Sequence, residues 1–472
     1  MECDVAVLGG GPGGYPAAIR AAQLGANVVM VEQGRVGGTC ITIGCIPTKV
    51  WVQAAHGMKD VQELLPQLGV RVTGASLDFD QTQTQKETIV NGLVTGITGV
   101  VKANGITIVQ GRGQFSGPNT IAVEGAEEIR FEHAVIATGS HSLRPPVDGI
   151  DGPRCLDSTG LLDVTEVPKR LLVLGGGVIG VEFASIMRHF GVEVTIVEML
   201  DRLIPMEDAD ASKELERAFK KRGITMHLGA RATAIVDGPE GALITFEDSS
   251  GKGGEVNADL VLVATGRGPN VNDVGLEEAG VAFDPRAGVT VDRHMRTSVP
   301  HIYAAGDVAG RFQLAHTSFR EGEVAAENAH GHDLEIDYAS VPRCVYTDPE
   351  VAAVGLTEEQ ARERYEEVAI GKFPFAASAR AQMYGEKNGW VKTIHETRYG
   401  EFLGMVVVGV QATELVEAGV IGITAEATIE TLADSITAHP TLAEGVKEAA
   451  LVALGRPIHL PPPRKPKVAA PA

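Results

Sequence analysis

Cysteine is scarce in this chain: five among 472 residues, at positions 3, 40, 45, 155 and 344. An odd count supplies no stapling framework, and a chain this long buries enough core not to need one. Basic side chains are also in deficit, 41 against 61 acidic, and the formal charge of −20 repels polyanions. That balance excludes nucleic acid as a ligand and favours basic partner surfaces. Long apolar runs are missing as well. The most apolar stretch, "LLVLGGGVIGVEFASIM" (171–187), is too short to span a bilayer and contains three consecutive glycines and Glu182. It reads as a buried strand, a turn and a helix, with no membrane role. The strand-like "CDVAVLGG" begins at Cys3 and leaves no room for a leader, so the expected location is cytoplasmic.

What is present begins with a repeat. "VAVLGGGPGGYPAAIRAAQLGANVVMVE" (5–32) and "LLVLGGGVIGVEFASIMRHFGVEVTIVE" (171–198) share an apolar strand, a glycine turn, a helix and a second strand ending in Glu. The interval from first glycine to glutamate is 23 residues in both. Set between strand and helix, with an acid at that distance, this pattern is a dinucleotide fingerprint. Gly9 and Gly175 permit the tight turn, Gly11 and Gly177 let backbone approach a pyrophosphate, and Gly14 and Gly180 allow close helix–strand packing. Glu32 and Glu198 are then the partners of ribose hydroxyls. Two similar strand ends, "VIATG" (135–139) and "LVATG" (262–266), close the two units at Gly139 and Gly266.

Two of the five cysteines stand five apart in "GGTCITIGCIPTK" (37–49). In a regular helix five positions turn about 140° and rise ~7.5 Å, so the side chains diverge. A Cys40–Cys45 bridge therefore needs a distorted turn, which Gly44 permits. Pro47 suits the first turn of a helix through "TKVWVQAAH", which puts Cys45 at a helix N-terminus, where thiolate is favoured. A metal reading requires further Cys or His ligands at short spacing, and the nearest is His56. Inert packing is a third reading, and the one assigned to Cys3, Cys155 and Cys344. Redox exchange at Cys40 and Cys45 fits the pattern best. A dithiol moves its electron pair as sulfur chemistry and nicotinamide takes hydride; a flavin converts one into the other.

"GGTCITIGCIPTK", "GGGVIGVEFA", "YAAGDVAG", "LAHTSFREG" and "AHPTLAE" occur in an order and spacing that resemble the pyridine nucleotide-disulphide oxidoreductases. The likeness runs to about Ile458 and extends to the closing "GRPIHL" of the members that oxidise dihydrolipoyl groups. It implies an α/β fold of two Rossmann-like dinucleotide-binding domains plus a C-terminal α+β dimerisation domain. The expected boundaries are an FAD-binding domain at 1–149, an NAD-binding domain at 150–271, a central domain completing the FAD site at 272–342, an interface domain at 343–459 and a disordered Pro-rich tail at 460–472. The resemblance further implies FAD on Gly9, Gly11, Gly14, Glu32, Gly139, Asp307 and Ala315, and NAD on Gly175, Gly177, Gly180, Glu198 and Gly266. Cys40 becomes the thiol that exchanges with substrate and Cys45 the one against the flavin. Lys49 and Glu182 match an ion pair beside the flavin ring; taken alone they read as solvated surface charges. His439, with Glu444 orienting it, matches the acid–base pair, which in that family serves the neighbouring subunit of a homodimer.

The implied activity is oxidation of protein-bound dihydrolipoyl groups with reduction of NAD+. The implied partner is a lipoylated acyltransferase core, or a lipoyl carrier protein, of a 2-oxo acid dehydrogenase or glycine cleavage complex. Two departures touch fine substrate preference: Thr437 stands where many relatives carry a second histidine, and "CITIGC" replaces the commoner Leu-Asn pairing. The alternatives are an NAD(P)H-dependent disulphide or metal reductase of the same family and a non-catalytic flavoprotein. Glu198 would repel the 2′-phosphate of NADP, with only Arg202 nearby to offset it.

Overall fold

The structure is a computed structural model that describes residues 1–461. Apart from Leu460 and Pro461, the tail assigned to 460–472 lies outside the described residues. Unbroken apolar runs such as VVMV at 28–31 and LLVL at 171–174 show no alternation, as a parallel strand covered on both faces requires, and they are buried throughout.

The first sheet places Thr107–Gln110, Val28–Glu32, Glu2–Leu8 and Ile129–Ile136 side by side in parallel. Ile302–Ala304, from far along the chain, pairs in parallel with Ile129–Ile136. In the second sheet the order is Thr225–Leu228, Glu193–Glu198, Arg170–Leu174, Leu260–Val263 and Cys155–Leu156, again all parallel. The sequence repeat is thus a structural one. In each unit the strand before the glycine turn is central, flanked by the strand that ends in Glu and the strand that ends in Ala-Thr-Gly. The third sheet is antiparallel, in the order Arg343–Val345, Val351–Gly355, Phe402–Val408, Trp390–Glu396 and Val368–Pro374. Helix Glu444–Ala453 lies against its far edge, so close that a Cβ at Gly371 would meet the Ala449 carbonyl at 1.8 Å.

Helix Cys45–Lys59 ties these units together. Its Trp51 is fully buried among Phe79, Phe183 and Phe190, with ring centroids 5.4, 6.2 and 6.2 Å away. Those contacts press the helix onto helix Val178–His189 of the second unit. At the far end Lys59 pairs with Glu386 and, at 2.8 Å, with Asp348. Asp348 also meets Arg222 and the His189 Nε2, the latter at 3.0 Å. Burial opposes its charge, but the His189 hydrogen bond and the Lys59 and Arg222 cations hold the carboxyl well below the usual range. One buried carboxylate therefore joins the cysteine-bearing helix, the second nucleotide unit and the antiparallel sheet.

Candidate active site

The two glycine turns have nearly the same geometry. Gly9 and Gly175 adopt φ of 109° and 108°, where a side chain is strained, and a Cβ on either would strike the Ala137 or Ala264 carbonyl. A Cβ on Gly14 or Gly180 would lie 1.8 or 2.0 Å from the carbonyl of Gly9 or Gly175, so the helix can approach the strand only without one. By contrast, a Cβ on Gly177 would meet no atom within 4 Å. That open space at a helix N-terminus suits a bound pyrophosphate.

The terminal glutamates repeat the match. Glu32 accepts the Gly10 and Gly34 amides, each at 2.6 Å, and Glu198 accepts the Gly176 and Leu200 amides at 2.5 and 2.7 Å. Each carboxylate is buried, anchored by one amide per oxygen, and retains lone pairs for a ribose diol. Arg202, the one cation the sequence offers near Glu198, donates to the Pro205 carbonyl at 2.8 Å instead of facing the crevice unattached.

Between the cysteines the chain makes a short helix, Gly38–Ile43, breaks at Gly44 (φ −136°, ψ −109°) and restarts as helix Cys45–Lys59. Gly44 is therefore the distorted point, and Pro47 falls in the first turn of the new helix. The two thiols are free and act on each other. The neighbouring Cys40 thiol favours charge on Cys45 and, with help from Lys49, outweighs burial, so the Cys45 thiol lies below its usual value. Cys45 and burial together drive Cys40 up. Charge is thus favoured on Cys45, at the helix start, over Cys40.

Lys49, one turn into the helix, bonds Glu182 at 2.8 Å, and Glu182 accepts the Tyr346 amide at 2.9 Å. Glu182 is buried, so this pair is no solvated surface charge. The Lys49 ammonium also stands 4.3 Å above the Tyr346 ring.

A cavity of about 1040 Å³ collects these parts. Its wall includes Gly9, Gly11, Glu32, Cys40, Cys45 and Lys49, and also Gly139, Glu182, Asp307 and Ala315. Its size and mixed lining fit a flavin dinucleotide. Asp307 is fixed by the Ser140 hydroxyl at 2.5 Å, and Arg267 holds that Ser140 through its hydroxyl and carbonyl, both at 2.8 Å. Arg267 follows Gly266 and Ser140 follows Gly139, so the ends of the two Ala-Thr-Gly strands are clamped together, and Ser140–Ser142 pairs with Arg267–Pro269. Gly175, Gly177, Gly180, Glu198 and Gly266 belong to the second unit and do not line this cavity. Cys344 packs against the core of the antiparallel sheet and also lies in the cavity wall, where burial pushes its thiol up to about 12.

His439 and Glu444 form a pair of their own. The His439 Nδ1 is 2.8 Å from Glu444, whose other oxygen accepts the Thr441 amide at 2.8 Å. Burial works against Glu444, but the ring and the amide hold its carboxyl below the usual range. His439 leaves its Nε2 on a side chain that is 74% exposed, and neither residue lines the cavity with the cysteines. Within one chain the His439–Glu444 pair and the dithiol are not brought together.

The family model described as pyridine nucleotide-disulphide oxidoreductase matches residues 3–322, and the model of that family's dimerisation domain matches 341–450. A dihydrolipoyl dehydrogenase of Bacillus subtilis is 39% identical over 460 residues, 96% of this chain and 99% of that relative. Among solved structures, LpdA from Mycobacterium tuberculosis has a TM-score of 0.87 at 30% identity, covering 95% of this chain and 99% of its own. The HOCl-induced flavoprotein disulphide reductase RclA from Escherichia coli has a TM-score of 0.84 at 30% identity, covering 95% of this chain and 100% of its own.

Proposed function

The chain belongs to the pyridine nucleotide-disulphide oxidoreductases, and from that premise we propose that it works as a dihydrolipoyl dehydrogenase, oxidising protein-bound dihydrolipoyl groups at Cys40 and Cys45 and reducing NAD+. The observation that carries the reading is the placement of Cys40 and Cys45 on either side of the break at Gly44, on the cavity wall shared with the Lys49–Glu182 ion pair. FAD fits the first unit, on Gly9, Gly11, Gly14, Glu32, Gly139, Asp307 and Ala315, and NAD fits the second, on Gly175, Gly177, Gly180, Glu198 and Gly266. Bound FAD supplies the conversion between a thiol electron pair and hydride, and NAD+ supplies the hydride acceptor.

The protein's own groups then divide the work. A dihydrolipoyl thiolate, its proton taken by His439 Nε2, attacks Cys40 Sγ of the oxidised pair; the Cys40–Cys45 bond breaks and Cys45 leaves as thiolate. The second dihydrolipoyl sulfur then displaces Cys40, closing the lipoyl disulphide and leaving one thiol and one thiolate on the enzyme. Lys49 favours the Cys45 charge, and Glu444 holds the His439 ring by its Nδ1. Because His439 is exposed and away from the dithiol, we place it over the cysteines of a second copy, joined through the segment that matches the dimerisation domain. The acidic surface suits a basic docking module of a lipoylated acyltransferase core or a lipoyl carrier protein. Among the described residues no helix is long and apolar enough to cross a membrane, and we place the enzyme in the cytoplasm.

The likeness to RclA supports a second reading, a disulphide reductase running from nicotinamide to substrate. A panel of dihydrolipoamide with NAD+ against glutathione disulphide with NADH and NADPH decides between them. Turnover at least a hundredfold more efficient with dihydrolipoamide is expected; the reverse preference establishes the reductase.

A further inference from the structure

Glu321 is 1% exposed and has no part in the chemistry above. It lies on helix Ala315–Ala329, whose Ala315, His316, Ser318 and Phe319 line the cavity, one residue before the point where Gly322 packs on Gly13 of the first glycine turn. One carboxyl oxygen accepts the Gly306 amide at 2.7 Å and the other accepts the Tyr338 hydroxyl at 2.8 Å. Ala305, Gly306 and Asp307 all line the cavity, so the peptide that Glu321 grips is the one that delivers Asp307 to the flavin site.

The charged groups around it leave the carboxyl without an ion-pair partner among the described residues. Arg311 sits over the Tyr338 ring at 5.2 Å and donates to the Val291 carbonyl at 2.8 Å; Arg293 acts on Tyr338 from further away, and Asp307 adds a like charge. Tyr338 also stacks on Phe312. Burial pushes the Glu321 carboxyl up to about 7, against the pull of Tyr338, Gly306 and Arg311. A hydroxyl can reverse its role, so Glu321 can take a proton, donate it to the Tyr338 oxygen and still accept the Gly306 amide. Its charge can change while its geometry stays fixed.

We propose that Glu321 is a positioning residue of the flavin site whose uptake and release of one proton, beyond those a flavin itself binds on reduction, adds to the pH dependence of the flavin's reduction potential. Adding an electron pair to the flavin adds negative charge near the carboxyl, which then binds its proton more tightly and takes it from solvent. The inference rests on the first unit holding FAD.

The test is the flavin midpoint potential of the purified holoenzyme between pH 5.5 and 8.5, in a Cys45→Ser background so that the dithiol does not titrate in the same range. A change of slope near neutral pH is expected in addition to any that the reduced flavin's own proton gives. Glu321→Gln, whose amide reproduces the protonated carboxyl's bonds, should keep FAD and lose that change of slope. Tyr338→Phe removes a donor that favours the charged form and should move the break to higher pH. Superimposable plots with and without the Glu321→Gln substitution overturn the proposal. If the glutamine variant fails to fold, a break left unmoved by Tyr338→Phe overturns it equally. A parent protein that binds no FAD refutes the flavin reading itself, a result distinct from either.

Discussion

Lys49→Met probes the ion pair beside the dithiol. Removing one partner of a buried pair costs about 3–5 kcal/mol, because a charge is left uncompensated. Here the Lys49 side chain is 31% exposed and Glu182 keeps the Tyr346 amide at 2.9 Å, which trims the expected loss to about 2 kcal/mol. The effect on Cys45 is more diagnostic. Its thiol is lowered chiefly by the Cys40 thiol and then by Lys49, while burial and Glu182 push it up. Without the ammonium, Cys45 keeps the help of the Cys40 thiol but loses that of Lys49, and its midpoint should rise by about one unit, the low end of the about 1–3 units that a nearby opposite charge is worth. Glu182→Gln should move the midpoint the other way, below its present value. The assay is a pH titration of the long-wavelength thiolate–flavin absorption in two-electron-reduced holoenzyme. Because the folded thiol is depressed, the band belongs to the side above its midpoint and fades as pH falls through it. Shifts of the same sign in both variants, or none in either, would refute the electrostatic account of the pair.

Other substitutions test separate parts of the site. His439→Gln should retain FAD and lose roughly 10²–10⁴ in dihydrolipoamide oxidation, with Glu444→Gln milder because it only orients the ring; near-normal turnover returns His439 to an ordinary loop residue. Gly177→Ala, where a Cβ meets nothing within 4 Å, should fold normally yet weaken NAD binding, whereas Gly180→Ala, 2.0 Å from the Gly175 carbonyl, should lower thermal stability; equal behaviour of the two contradicts the assigned roles. The unaltered enzyme should prefer NAD over NADP by more than about a hundredfold in kcat/KM, since a 2′-phosphate would meet the buried Glu198 carboxylate, and each ~1.4 kcal/mol of repulsion is tenfold. Glu198→Gln should weaken NAD use and narrow that preference with no loss of FAD.

The residues that were legible are those whose chemistry is enforced locally. A glycine at φ above 100°, a glycine where a Cβ would strike a carbonyl and a glutamate 23 residues on leave a spacing in the chain, and both units kept it. The start of the helix at Cys45 was legible for the same reason, through Gly44 and Pro47. The distortion at Gly44 was legible too, but the short helix Gly38–Ile43 before it was not, since nothing in "TCITI" distinguishes a helical turn from a loop. The contacts that fix the cavity wall and the cysteine-bearing helix join residues far apart in sequence: Arg267 with Ser140, Glu321 with Gly306 and Tyr338, Lys59 with Asp348. No local period announces such pairs. Cys344 packs as its sequence reading has it, but only the fold brings its strand to the wall of the cavity as well. Ile302–Ala304 likewise reads as a strand from its residues, but its place in the first sheet depends on pairing with Ile129–Ile136.

The central claim is that Cys40 and Cys45 relay an electron pair between a dihydrolipoyl group and the flavin, and anaerobic rapid mixing of the FAD-loaded enzyme with dihydrolipoamide, followed by NAD+, addresses it most directly. The account predicts a long-wavelength thiolate–flavin band that rises on mixing and one NADH per active site when NAD+ is added. It also predicts that Cys45→Ser abolishes the band and Cys40→Ser blocks its formation from dihydrolipoamide. NADH formed at the normal rate by the Cys40→Ser enzyme would contradict the claim.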